Sequence, residues 1–234
     1  MTMLRPIKYI KHIIISNRHL FKIGLLLFRF GNSIHPIRGK RNRILNSGVS
    51  IGVRYDICGN NNRIIIGRGA ILSKTRIFMR GDFHTLEIGE DCRCEGGSFH
   101  FEDQECIIHL GKSVILMTAH LAVTEPGRRI LIGNDCIFGN GLEIRTGDSH
   151  SIVDIATGKR INFAKDITIG NHVWVGAHAK LLKGTVIGDG SIIGTGSIVS
   201  GRIGSNRIAS GAPAITLMSN VTWKTERIYK METE

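Results

Sequence analysis

Proline is nearly absent from this sequence, at four in 234 residues, and aromatic side chains make up only 6 %. The second shortage excludes a core of stacked large rings. Punctuation of the backbone must therefore come from glycine, of which there are 29. The cysteines are five (Cys58, Cys92, Cys94, Cys106, Cys136), so any disulfide scheme leaves one over. A chain of this length has no need of staples, which points to reduced thiols in a cytoplasmic protein. Cys92 and Cys94 form a C-x-C with no second pair at zinc spacing, so no metal site is expected. The sequence also lacks a G-x-S-x-G elbow and a long apolar run.

Acidic residues are missing altogether before Asp56, whereas residues 1–43 contain ten Lys and Arg. The rest of the chain has 21 basic and 19 acidic residues, so the formal charge of +12 belongs to the arm. A nearly neutral body without a basic-aromatic stripe argues against nucleic acid. Within the arm the longest charge-free apolar run is Ile23 to Phe28, far short of the roughly 20 residues a span requires. No small-x-small cleavage site follows it. Residues 1–43 read as a basic amphipathic, helical arm. It would either lie peripherally on the inner face of a membrane or cap the body.

What is present is a repeat. Ile66, Ile88, Leu110 and Ile132 are each 22 apart, and Ile44 stands 22 before Ile66. Later the period is six, with Ile169, Val175, Leu181, Ile187, Ile193 and Val199 in phase and small residues at Val173, Ala179, Thr185, Ser191 and Ser197. This hexapeptide pattern predicts a parallel β-helix over 44–214. Each hexapeptide supplies a short strand with an inward aliphatic, and three close a triangular coil of 18 residues. A 22-residue unit is then a coil with a four-residue extension at one corner, for which "GNNN" (59–62) and "EDQE" (102–105) are suited. No helical period separates the strands, which disfavours a layered α/β fold. Residues 215–234 form a tail.

The six-residue phase holds through Ile132, Phe138 and Ile144, then fails at His150 and returns at Ile169. About 18 residues leave the prism, with the protruding loop placed at 148–166. A loop of this length inside a repeat is functional or disordered. It carries Asp148, His150, Asp154, Lys159 and Arg160.

The hexapeptides together with "DSHSI", "TGKRIN", "NHVWVGAHAKLLKGTVIGDGSIIGTGSIV" and "IASGAPA" resemble the left-handed β-helix acetyltransferases. Within them the chain is most similar to the O-acetyltransferases of bacterial capsule, polysialic acid and surface polysaccharide. The resemblance covers about residues 44–223 and implies acetyl-CoA as co-substrate, a left-handed coil, and a homotrimer with sites between chains. It implies His150 as general base. It maps cofactor contacts onto Trp174, Gly176, Ala177 and Thr195, with Lys183 and Ser200 near the phosphate-binding position, where the family's Thr-Lys is replaced by Ser200-Gly201. Lys180, Lys183 and Arg202 are the candidate substitutes for that lysine.

The chemistry of these residue types agrees. A neutral imidazole can take the proton of a sugar hydroxyl as it attacks a thioester. A carboxylate can fix the ring tautomer, with Asp148 first and Glu143 second in sequence. With no elbow serine and no loop cysteine, direct transfer is expected. Arg145, Lys159 and Trp223 are candidates for the acceptor side, Trp223 equally for a packing anchor. His100, His109 and His120 read as surface or structural. Two other readings stand beside this one: an N-acetyltransferase of a nucleotide-linked amino sugar, and a non-enzymatic β-helix docked by its basic arm.

Overall fold

The computed structural model describes residues 36–229. The amphipathic arm expected in the sequence falls, up to residue 35, outside the described residues. Among the described residues no helix is long and apolar enough to cross a membrane.

The described chain is a parallel β-helix with three faces, of eight, eight and nine strands. A coil runs from face I (for example Ser98–Phe101) to face II (Ile107–Leu110) to face III (Ile115–Met117) and back. Inward aliphatics stack coil upon coil: Leu86, Ile108, Ile130 and Ile167 on face II are all essentially inaccessible to solvent. Burying such a side chain contributes about 1.5–3 kcal/mol, and the stack repeats the gain at every coil. The few phenylalanines that are fully buried, Phe99, Phe101 and Phe138, fill the middle of the prism.

The register records the coil lengths. Phe78 pairs with His100, 22 residues on. Across the interruption Ile130 pairs with Ile167, 37 residues on. Thereafter Thr168 pairs with Val186, 18 on, and Ile192 with Ile208, 16 on. The first coil departs from the sequence expectation. Ile44 pairs with Ile64 rather than Ile66, because the turn after Arg43–Asn46 has two residues where the next coil has four. The first strand of the helix also begins earlier than residue 44, at Ile37–Arg38.

In the short coils the turns use a left-handed residue every six positions: His172, His178, Gly184, Gly190 and Gly196. His172 and His178 thus stand where glycine stands later, which accounts for their phase. The small residues one place after each of these, Val173, Ala179, Thr185, Ser191 and Ser197, are buried in the turn. The hydroxyls of Thr185 and Ser191 donate to the carbonyls of Val199 and Gly204 at 2.9 and 2.7 Å.

The four-residue extension lies at the corner between faces I and II. There a ladder of polar side chains satisfies the backbone. Asn42 Oδ1 accepts from Asn62 N, Asn62 Oδ1 from His84 N, and His84 Nδ1 from Cys106 N. The last coil ends differently, in an antiparallel hairpin of Arg207–Gly211 with Ala214–Ser219, so part of the expected tail is strand.

Candidate functional site

The interruption leaves from this same corner. Glu143–Arg145 is the last strand of face I before it, and Ile167–Ile169 the next of face II. Buried Thr146 and the backbone of Lys165 close the neck, Lys165 N donating to Thr146 O at 2.9 Å. Beyond the neck the chain forms a small antiparallel hairpin, with Val153 bridged to Arg160 and Ile161 N donating to Ile152 O. Asp154 caps its turn by accepting from Thr157 N and Oγ1. That is a structural role for a loop carboxylate, and the local D-x-x-T pattern explains it. Lys159 is exposed in this turn.

Two groups on the body, Glu125 and Lys183, and one on the loop itself, Asn162, hold the loop in place. Glu125 accepts from Ala164 N at 3.1 Å and from the guanidinium of Arg160. The Lys183 ammonium, from the following coil, meets the Asp148 carboxylate and the Asn162 carbonyl. Asn162, buried at 5 % exposure, donates from Nδ2 to Asp148 Oδ2 and to His150 O, both at 2.8 Å. The Lys183 and Asn162 hydrogen bonds hold the Asp148 carboxyl below the usual carboxylate range.

These contacts change two assignments. Asp148 Oδ2 receives both Lys183 and Asn162, and among the described residues no hydrogen bond joins Asp148 to the His150 ring. Glu143, the second candidate, stands 3.4 Å from Arg145 Nε instead. Lys183, expected near cofactor phosphates, is a clamp on the loop.

His150 is exposed and lines a cavity of 480 Å³ between the loop and the outer surface of face I. Arg145, His120, His100, Thr124 and Arg160 line it as well. The parallel register brings them there, since His100, Ala122 and Arg145, spaced by 22 and 23 residues, are successive rungs of one row and His120 and Glu143 of the next. His120, expected to be a surface or structural residue, is half-buried, and its Nδ1 lies 2.7 Å from Ser98 Oγ. Burial, and secondly His100, push its pKa down, which keeps the imidazole neutral at neutral pH. Thr124 Oγ1 is buried with no hydrogen-bond partner among the described residues, and Arg145 Nε, buried as well, faces the Glu143 carboxylate at 3.4 Å. Arg160, which lines the cavity, takes the place expected of Lys159. The signal for Arg160 and Asn162 was present in "KRIN", but single charged and amide residues in a loop do not announce what they bind.

The remaining candidates lie elsewhere. Trp174, 44 % exposed, stands on face III. Gly176 and Ala177 follow it in the turn toward face I, with Thr195 one coil further along, where Gly196 N donates to Ala177 O. Trp223 joins this group. Its indole stacks on His172 at 4.1 Å, its Nε1 donates to His172 O at 2.8 Å, and its ring centre is 6.3 Å from that of Trp174. Trp223 thus packs on His172 and stands beside Trp174, away from the cavity that its own chain's His150 lines. A second cavity, of 390 Å³, runs beside these rings and is lined by Ile137, Trp174, Trp223, Thr225, Lys224 and Arg227 among others. Ser200 is exposed at the corner between faces I and II, apart from this group. One chain thus places His150 on one face and Trp174 on another.

Comparison with known proteins agrees with this geometry. Residues 166–201 match the family model "Bacterial transferase hexapeptide (six repeats)". A polysialic acid O-acetyltransferase of Neisseria meningitidis is 33 % identical over 158 residues, which cover 66 % of this chain and 72 % of that protein. A polysialic acid O-acetyltransferase of Escherichia coli O1:K1 is 45 % identical over 94 residues, 40 % of this chain and 31 % of that one. Among solved structures, the polySia-specific acetyltransferase NeuO superposes with a TM-score of 0.78 at 30 % identity, covering 86 % of this chain and 92 % of that one. The polysialic acid O-acetyltransferase OatWY gives 0.79 at 26 %, covering 85 % and 95 %. A hexapeptide coil interrupted once, at the corner where a histidine enters, and matched over nearly its whole described length by two such enzymes, has one reading: the chain belongs to the left-handed β-helix acetyltransferases of the hexapeptide-repeat family, on the branch of the polysialic acid O-acetyltransferases.

Proposed function

We propose that the protein transfers an acetyl group from acetyl-CoA to a hydroxyl of a bacterial capsule or surface glycan, with His150 as general base. The observation that carries this is the cavity under the loop. It has an imidazole at its mouth and the side chains of Arg145, Arg160, His120 and Thr124 in its lining. Cationic and hydroxyl groups around such a cavity are suited to hydrogen-bond the hydroxyls and carboxylates of a glycan. The relatives are named for polysialic acid, which makes an acidic capsule glycan the first acceptor to try.

The groove beside Trp174 fits the donor. Its walls are apolar (Ile137, Trp174, Trp223), as the thin pantetheine chain requires, and Lys224 and Arg227 supply positive charge for phosphates. Acetyl-CoA, when bound, supplies the acetyl group as a thioester. His150 accepts the proton of the attacking hydroxyl on a ring nitrogen, while Arg145 and Thr124 hold the sugar that carries it. With no elbow serine and no loop cysteine, and with neither Ser149 nor Ser151 hydrogen-bonded to a base among the described residues, direct transfer is the reading kept.

Because His150 and Trp174 lie on different faces, the complete site takes His150 from one copy and Trp174 from the next, in a homotrimer. The loop tip supports this: Ile152, Val153, Ile155, Ile161 and Phe163 are more than half exposed, Ile155 fully. Apolar side chains in such a group mark a surface that another molecule covers. A peripheral membrane contact through the basic arm, and a cytoplasmic location, complete the proposal.

The test is thiol release from acetyl-CoA by the full-length protein with polysialic acid, neutral polysaccharides and nucleotide-linked amino sugars as acceptors. Turnover with the amino sugars alone would replace O-transfer by N-transfer. Failure to release thiol with any of them would leave the structural β-helix as the better reading.

A further inference from the structure

We infer that Asn162 is the positioning residue of the catalytic loop, the group that sets where the His150 ring stands. This rests on the reading of His150 as base and adds to it the part that neither Asp148 nor Glu143 supplies.

His150 poses a physical difficulty. Within its own chain it is exposed, on a loop whose tip is exposed, so no intrachain packing fixes its side chain. A general base held loosely loses most of its advantage, since a displacement of about 1 Å can cost about 10²-fold in rate. Its position must come from its backbone, and one side chain holds that backbone on both sides. Asn162 Nδ2 donates to His150 O at 2.8 Å, and Asn162 Oδ1 accepts from Ile152 N at 2.7 Å. The amide thus brackets Ser151 and fixes the direction in which the chain leaves His150. The same Nδ2 donates to Asp148 Oδ2, and Oδ1 also accepts from Arg160 Nε at 3.2 Å. The two amide hydrogens and two acceptor sites of the carboxamide are all used, in a residue only 5 % exposed.

The two partners at the far side are themselves fastened to the body. Asp148 is held by Lys183 of the next coil, and Arg160 by Glu125 of the previous one. Asn162 therefore transmits the position of two rigid coils to residues 148–152. No other residue type does this at the same length. Aspartate keeps the acceptor but has no donor for His150 O, and glutamine is one methylene too long for the space.

The experiment compares full-length Asn162→Ala, Asn162→Asp, His150→Ala and the double variant His150→Ala/Asn162→Ala, with acetyl-CoA and polysialic acid as probes. Asn162→Asp retains the acceptor bonds to Ile152 and Arg160, so it keeps the fold if the alanine variant does not. The expected result for either Asn162 variant is a kcat reduced about 10²-fold, with KM for both substrates within about threefold of wild type. In the His150→Ala background the second substitution should cost nothing further, because the residue acts through His150. A kcat near wild type, or an added loss in that background, overturns the assignment while leaving His150 as base. His150→Ala active within a few-fold of wild type removes the base and this role together. A crystal structure of either Asn162 variant gives a reading independent of the acceptor. Residues 148–152 should be displaced, and finding them in place overturns the proposal.

Discussion

The corner between faces I and II occurs in every coil, and the molecule treats it in two ways. In the early coils it is closed by the ladder of Asn42, Asn62, His84 and Cys106, each satisfying the backbone of its neighbour. Two coils later the same corner opens into a 21-residue excursion between Arg145 and Ile167. Its two roots still serve the coil before, Thr146 Oγ1 accepting from Thr124 N and Asp166 Oδ1 from Arg129 N, while the loop beyond them is gripped by Glu125 and Lys183. The stacking faces cannot absorb such an insertion, because a slip of one residue turns every inward side chain outward. A corner can, because the sheets on either side keep their register, Ile130 on Ile167 and Glu143 on Lys180. Stability and chemistry are thus assigned to the same geometric position in different coils.

The sharpest way to test that division is to remove one side of it. His150→Ala should lower turnover by about 10²–10⁴-fold, the range for loss of a general base. The melting temperature should stay within about 2 °C of wild type, since the residue is exposed and outside the prism. Turnover within a few-fold of wild type would show that the loop histidine is not the base. The converse substitution falls in the coil. Phe99→Ala empties a fully buried position and should cost about 3–5 kcal/mol in unfolding free energy, measured by denaturant titration. At a temperature where the variant remains folded, KM for acetyl-CoA should be unchanged. A cost under about 1 kcal/mol would mean that the prism relaxes around the cavity.

A smaller effect separates the ladder from the loop by pH. His84 is fully buried. Its Nδ1 accepts from Cys106 N, and its other nitrogen faces the Arg80 carbonyl at 3.0 Å, so the partners require the neutral ring with its proton on Nε2. Burial, against the Arg80 hydrogen bond, pushes the folded pKa below the ordinary value of 6.5. The unfolded chain then binds the proton first as the medium is acidified. The stabilisation is full above about pH 6.5 and is lost as the pH falls toward the folded value. His84→Asn places at this rung the residue found at Asn42 and Asn62. It should cost about 1–2 kcal/mol at pH 7.5 and flatten the decline of melting temperature between pH 7 and 5. An unchanged slope would assign the acid sensitivity to His120, whose pKa is also lowered.

The fold was legible because the sequence repeats its inward positions: Ile169, Val175, Leu181, Ile187, Ile193 and Val199 are all buried. The loop was legible as a failure of that pattern at His150. The partners of the loop were not, for a physical reason. Lys183 and Asp148 are 35 residues apart and Glu125 and Ala164 are 39 apart, and they meet only because an 18-residue and a 22-residue coil stack on either side of the excursion. Nearness in sequence therefore offered Asp148 to His150, and the family resemblance offered Lys183 to the cofactor, without showing that the two meet each other. The first-coil register failed for a smaller reason, a turn at Ser47-Gly48 that is two residues short.

The separation of His150 from Trp174 has a consequence for inheritance of activity in mixed assemblies. In the proposed trimer each chain carries half of two different sites, so a lesion in one half spares the other. A His150→Ala chain still offers Trp174, and a Trp174→Ala chain still offers His150. If the proposed trimer is right, two inactive proteins that are unfolded and refolded together should regain a fraction of wild-type turnover, from those boundaries where an intact histidine meets an intact tryptophan. Proteins mixed without subunit exchange should regain none. Recovery absent from both preparations would mean that each chain completes its own site.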